Sequence, residues 1–172
     1  MKLLIVVDMQ NDFIDGVLGT PEAQAIVPAV AAKIAEYKAS GRPIIYTRDS
    51  HDSNYLNTQE GQHLPFPHCI VGTHGWEIAD GLYVKGSIID NKRSFGSTNL
   101  VAYITSHYRN RFDEIEVVGL CTDICVISNV MILKAYFPEI PITVDSKCCA
   151  GVTPASHENA LNAMERCQIK II

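Results

Sequence analysis

The chain reads as an α/β protein: a three-layer, doubly wound, mostly parallel sheet with helices on both faces. Short apolar runs rich in β-branched residues recur along it, and amphipathic helical stretches separate them. The runs are continuously apolar instead of alternating, as expected of strands covered on both sides. Strand–helix alternation of this kind implies parallel pairing with helices packed above and below.

The elements follow in order. Leu3 to Asp8 (LLIVVD) is the first strand. After a Gly-containing loop, the stretch from Ala25 to Gly41 places Ile26, Val30, Ile34 and Tyr37 on one helical stripe, with Pro28 in its first turn and Gly41 as the stop. Pro43 to Thr47 is the second strand, Ser87 to Asp90 the third, and a helix spans about Asn99 to Tyr108. Glu114 to Leu120 is the fourth strand. The helix after it carries Ile124, Ile127 and Met131 on one face and ends before Pro138. Pro141 to Asp145, a helix from about Pro154 to Arg166, and the terminal QIKII complete the alternation.

At 172 residues, with 47% hydrophobic and 19% charged residues, the chain has the size and composition of a single domain, 1–172, with a sizeable core. A net charge of −5 offers no basic face for phosphate backbones, which argues against nucleic acid as a partner. No apolar run reaches the length of a membrane span, and Asp8 interrupts the N-terminal run too early for a signal peptide, so a cytoplasmic location is expected. In that compartment the six cysteines are expected as reduced thiols. A homo-oligomer is left open.

One segment breaks the rhythm. From Asp49 to about Gly86 there is no sustained periodicity, yet it holds four of the six histidines: His51, His63, His68 and His74. Irregular insertions of that length in compact domains are usually functional or disordered, and the histidines favour function.

Ligands of open parallel sheets bind at the carboxyl ends of the strands. Asp8 ends the first strand there, Asp49 follows the second by two residues, Lys92 follows the third by two, and Cys121 directly follows the fourth. The Cys121-Thr-Asp-Ile-Cys125 spacing is a poor zinc hairpin, because no second cysteine pair lies nearby to complete a tetrahedral set. Cys125 instead falls in a first helical turn, where the macrodipole and a neighbouring Lys⁺ lower a thiol's pKa and a carboxylate could accept its proton. That is a cysteine nucleophile with Asp as its base. Singly, each residue has a plainer reading: strand-end turn former, solvated lysine, small core thiol.

Three stretches, LLIVVDMQNDF, NKRSFGSTNL and VVGLCTDICV, together resemble the isochorismatase-like cysteine hydrolases across essentially the whole chain. The resemblance implies a catalytic triad of Asp8, Lys92 and Cys125, with Lys85 as a weaker alternative for the lysine, because the segment after Lys92 is shorter than in several relatives. The stretch TRDSHDSNYLNTQEGQHLPFPHCIVGTHG resembles the metal loop of the nicotinamidase branch. It implies Asp49, His51 and His68 as ligands of one divalent ion (Zn, Fe or Mn, with Zn favoured) and Glu60, ahead of His63, as the further ligand. Pro65 stands where an aromatic residue is common, with Phe66 next to it. Phe66 and Phe13 are the expected ring contacts.

The implied activity is hydrolysis of a small amide, foremost nicotinamide, through a thioester. The oxyanion would rest on the backbone N–H groups of Cys121 and Cys125, and the Leu120–Cys121 peptide is expected to be cis. Two alternatives stand beside it: a metal-free hydrolase of another amide, ureido compound or vinyl ether, and a non-catalytic α/β binding module.

Overall fold

The computed structural model describes residues 1–108 and 112–172. Six strands, β1 (Lys2–Val7), β2 (Ile44–Asp49), β3 (Ile88–Lys92), β4 (Glu114–Leu120), β5 (Ile142–Ala150) and β6 (Lys170–Ile171), form one sheet in the order β3-β2-β1-β4-β5-β6. Every pairing is parallel. The helices are α1 (Asn11–Ile14), α2 (Pro21–Ala39), α3 (Gln59–His63), α4 (Thr98–Tyr108), α5 (Ile127–Tyr136) and α6 (Pro154–Arg166).

The odd residues of β1 (Leu3, Ile5, Val7) pack with α4, α5 and α6. The even ones (Leu4, Val6) pack with α1 and α2, through Ala23, Ile26, Val30, Ile34 and Tyr37. Alternation along a strand sends neighbours to opposite faces, so one continuous apolar run fills two cores. Among the described residues no helix is long and apolar enough to cross a membrane.

Several boundaries differ from the sequence reading. Helix α2 starts at Pro21, a turn before the expected Ala25, because Thr20 caps it by accepting from the Ala23 N–H at 3.0 Å, with Pro21 in the first turn. Pro28 consequently lies inside the helix. The segment Thr122–Val126 is a π turn, closed by the Val126 N–H donating to the Cys121 carbonyl. A π turn holds more residues than an α turn, so the helical phase counted from Cys121 slips. The buried stripe is therefore Val126, Val130 and Leu133, while Ile124, Ile127 and Met131 are only half-buried. β5 runs on to Ala150, past a register shift between Val117 and Gly119 of β4.

Gly119 marks that shift. Its φ is +122°, and a Cβ there would lie 2.0 Å from the Val7 carbonyl oxygen of β1. Only glycine allows the two backbones to meet so closely. Gly119→Ala is expected to lower stability by about 3 kcal/mol or more, read as a fall in the urea midpoint.

Candidate active site

The strand order reverses direction between β1 and β4, the switch point where open α/β sheets form ligand crevices. Asp8 leaves β1 there with a φ of 47°, a left-handed conformation that Asp tolerates better than most residues. Cys121 and Cys125 leave β4 beside it. The Leu120–Cys121 peptide is cis.

Lys92 ends β3 and pairs in register with Asp49, the last residue of β2, so both lie inside the strands that they were expected to follow. Its ammonium is buried and lies 2.6 Å from Asp8 Oδ2, 3.2 Å from Asp49 Oδ1 and 3.4 Å from Cys125 Sγ. Burial alone would lower the lysine pKa, but the charges of Asp8, Cys125 and Asp49 push it well above its ordinary value. It stays an ammonium. Lys85 is exposed and precedes β3, at the opposite edge of the sheet.

Asp8 is fully buried and accepts from Thr47 Oγ1 at 2.7 Å. Burial, partly offset by Lys92, holds its carboxyl above the usual range. The Cys125 thiol is pushed well up by burial, against the lowering by Lys92. This corrects the expectation of a thiol acidified by a helix end. Cys125 sits in a π turn, only 5% exposed, so desolvation outweighs the lowering by Lys92. Burial also raises the neighbouring Cys121 thiol, to about 12, and Cys121 lacks the lysine contact that Cys125 has.

Beside Asp8, Lys92 and Cys125, the side chains of Asp49, His51, Glu60 and His68 each offer one possible ligand atom, all within 4.8 Å of one another. His51 Nε2 is 2.9 Å from Asp49 Oδ2 and 3.6 Å from Glu60 Oε1, and His68 Nε2 is 3.6 Å from each of those oxygens. The Nδ1–H of His68 donates to the Phe66 carbonyl at 2.9 Å, which turns Nε2 toward the cluster. Burial would raise the Asp49 pKa, but hydrogen bonds from His51 and His68 hold it well below the carboxylate range. Burial and the Asp49 charge push Glu60 up. Two imidazoles and two crowded carboxylates make a donor set that fits a divalent cation of the zinc, iron or manganese type. His63 is exposed, binds the Gln59 carbonyl through Nδ1, and lies outside the cluster. His74 is exposed as well.

A cavity of about 850 Å³ opens over both groups, with Phe13, Leu18, Phe95, Ile124 and Val152 among its apolar walls. Phe13 meets the His68 ring edge-on, with centroids 5.5 Å apart. Phe66, expected at the substrate, is instead 52% exposed and absent from the cavity wall. It stands between Pro65 and Pro67 and contributes its carbonyl to His68, while its ring turns to solvent.

Several supporting residues were not foreseen. Buried Gln10 accepts from the Asp49 N–H at 2.7 Å and donates to the Asp49 carbonyl at 2.9 Å, fixing the backbone of that residue. Buried Asn129 donates to the Cys125 carbonyl at 2.8 Å. Thr47 holds Asp8. The available signal was a polar residue inside or beside an otherwise apolar run.

The chain matches the family model described as the isochorismatase domain over residues 2–172. It belongs to the isochorismatase family. Its fold, a single all-parallel sheet wrapped by helices, is shared with solved members. The pyrazinamidase of Pyrococcus horikoshii in complex with zinc superposes with a TM-score of 0.84 at 28% identity, covering 99% of this chain and 98% of that one. The N-carbamoylsarcosine amidase of Thermoplasma acidophilum does so with a TM-score of 0.81 at 26% identity, covering 99% and 94%. The nicotinamidase/pyrazinamidase of Mycobacterium tuberculosis is 29% identical over 140 residues, 73% of this chain and 75% of that protein. This isochorismatase-family chain is accordingly a hydrolase.

Proposed function

We propose that this hydrolase is a nicotinamidase, converting nicotinamide and water to nicotinate and ammonia with Asp8, Lys92 and Cys125. The observation that carries the reading is the position of Lys92, whose single ammonium touches the base, the thiol and the first ligand of the four-residue cluster. The similarity to pyrazinamidase and nicotinamidase proteins supports the same reading.

Asp8 accepts the Cys125 proton as the sulfur attacks the amide carbonyl carbon, so no free thiolate need accumulate despite the raised thiol pKa. Lys92, still charged, stabilises the carboxylate and the developing negative charge around it. The backbone N–H groups of Cys121 and Cys125 are assigned to the tetrahedral oxyanion. On collapse, Asp8 returns the proton to the leaving nitrogen, and ammonia departs from a thioester. Water then gives a proton to Asp8 and attacks the acyl carbon. The acid leaves, and the proton on Asp8 restores the thiol. Asp49, His51, Glu60 and His68 would hold a divalent ion, which when bound supplies a Lewis-acidic anchor for a ring nitrogen. Phe13 shapes the ring pocket next to it.

Ammonia release from nicotinamide by freshly purified protein, paired with metal analysis, tests this directly. The expected result is turnover together with about one equivalent of bound divalent metal. A protein that binds metal but leaves nicotinamide untouched while cleaving a ureido compound would favour a second reading, an amidase of another small substrate. That reading is supported by the comparable likeness to N-carbamoylsarcosine amidase and by the outward Phe66.

A further inference from the structure

The buried stripe of α5 is apolar except at one position. Asn129 stands among Val126, Val130 and Leu133 and is as fully enclosed as they are. A carboxamide in such a place costs free energy unless its protons and lone pairs are taken up. Its Nδ2 donates to the Cys125 carbonyl at 2.8 Å and to the Phe95 carbonyl at 3.1 Å, while its Oδ1 accepts from the Ser97 N–H at 3.0 Å. Both amide protons are used. The group can face only one way, because a flip would set its oxygen against two carbonyls.

These bonds reach two segments far apart in the chain. Phe95 and Ser97 belong to the connection 93–97 that leads from Lys92 into α4, and Cys125 lies in the π turn after β4. The connection also rests on α5, where a Cβ on Gly96 would lie 2.6 Å from Ile132 Cδ1. On its other side Lys92 is tied to the end of β2, since the Ser50 N–H donates to its carbonyl at 2.9 Å. Between the two segments, Lys92 Nζ stands 3.4 Å from Cys125 Sγ. Asn129 itself is not among the residues that line the cavity.

We propose that Asn129 is a positioning residue that sets the spacing between Lys92 and Cys125, and through it the reactivity of the thiol. Its amide ties the backbone after the lysine to the backbone of the cysteine, so the contact between them does not depend on two long side chains finding each other. This rests on the reading of Cys125 as the nucleophile and Lys92 as its charged neighbour, and it is independent of which amide is cleaved.

The measurement is the rate at which iodoacetamide alkylates Cys125 in the full-length protein, followed by fragment-ion mass spectrometry, which separates Cys125 from Cys121. Asn129→Ala is expected to slow it about 30-fold or more, as a displacement of roughly 1 Å between reacting groups would. Leu133→Ala truncates another buried residue of the same helix. It is expected to keep the rate within about threefold of wild type even where its thermal midpoint falls further. Asn129→Thr should recover part of the rate, since a Thr hydroxyl in a helix donates to the carbonyl four residues back and restores the Cys125 bond alone. With nicotinamide as the probe, kcat of Asn129→Ala should fall with the alkylation rate while KM stays within about threefold, because no cavity wall is altered. An Asn129→Ala rate close to or above that of the wild type overturns the proposal, and so does an equal loss in Leu133→Ala. Should Asn129→Ala fail to fold, Asn129→Thr decides: a rate clearly below wild type supports the proposal, and an unchanged one overturns it. If the wild type leaves nicotinamide untouched, the nicotinamidase reading falls and the alkylation rates still test Asn129.

Discussion

Cys125→Ala should abolish amide hydrolysis, with kcat falling by at least about 10⁴-fold, while the protein still folds. In the proposed mechanism the sulfur is the atom that bonds to the acyl carbon, and neither Asp8 nor Lys92 can replace it. Cys125 belongs to the apolar core on the α4–α6 side rather than to an open rim, so the substitution does carry a packing cost. Removing one buried sulfur costs no more than about 1–2 kcal/mol, which a domain of this size tolerates. Cys121→Ala is the matched control. It is assigned only a backbone role and should keep activity within about tenfold of wild type, since its N–H survives the change. Ammonia release and a thermal melt on each variant decide the matter. If the two phenotypes were exchanged, Cys121 would be the nucleophile, and the Lys92 contact would have to be explained another way.

Chelation should likewise eliminate nicotinamide turnover, and His51→Ala should lower it more than about a hundredfold. A small aromatic amide offers few atoms to grip, so losing the anchor for its ring nitrogen costs the alignment of its carbonyl with Cys125. The fold should persist, because the sheet and both cores form without the cluster. Two readouts besides activity separate cause from damage. Returning Zn²⁺ to stripped protein should raise its thermal midpoint, since an ion that binds only the folded cluster stabilises it by mass action. His51→Ala should blunt that rise while leaving the metal-free melting curve near the wild-type one. Full-rate hydrolysis of nicotinamide by metal-free protein would falsify the nicotinamidase reading. His51 and His68 would then need a different purpose.

The architecture was legible because the patterns that specify it are local. Leu3 to Val7 is apolar without interruption, which can only be satisfied by cover on both faces. The Ile26, Val30, Ile34 and Tyr37 stripe reports one helix face directly, and all four are buried in the structure. Spacing alone likewise brought Asp8, Lys92, Asp49 and Cys121 to one edge of the sheet. The grouping of Asp49, His51, Glu60 and His68 came from a motif resemblance, not from periodicity, and the structure brings those four side chains together.

Other features depend on contacts between distant segments. Strand order puts β4 against β1, which brings Cys125 to Asp8 across more than a hundred residues, and the Asp49–Lys92 register sets the lysine between them. The π turn after Cys121 altered the buried face of α5, and burial set the electrostatics of Cys125, because desolvation is a property of the packed neighbourhood, not of a residue's place in a helix. Phe66 makes the same point. The motif resemblance favoured the aromatic ring as a substrate contact, yet its two flanking prolines and the His68 bond to its carbonyl leave it in solvent.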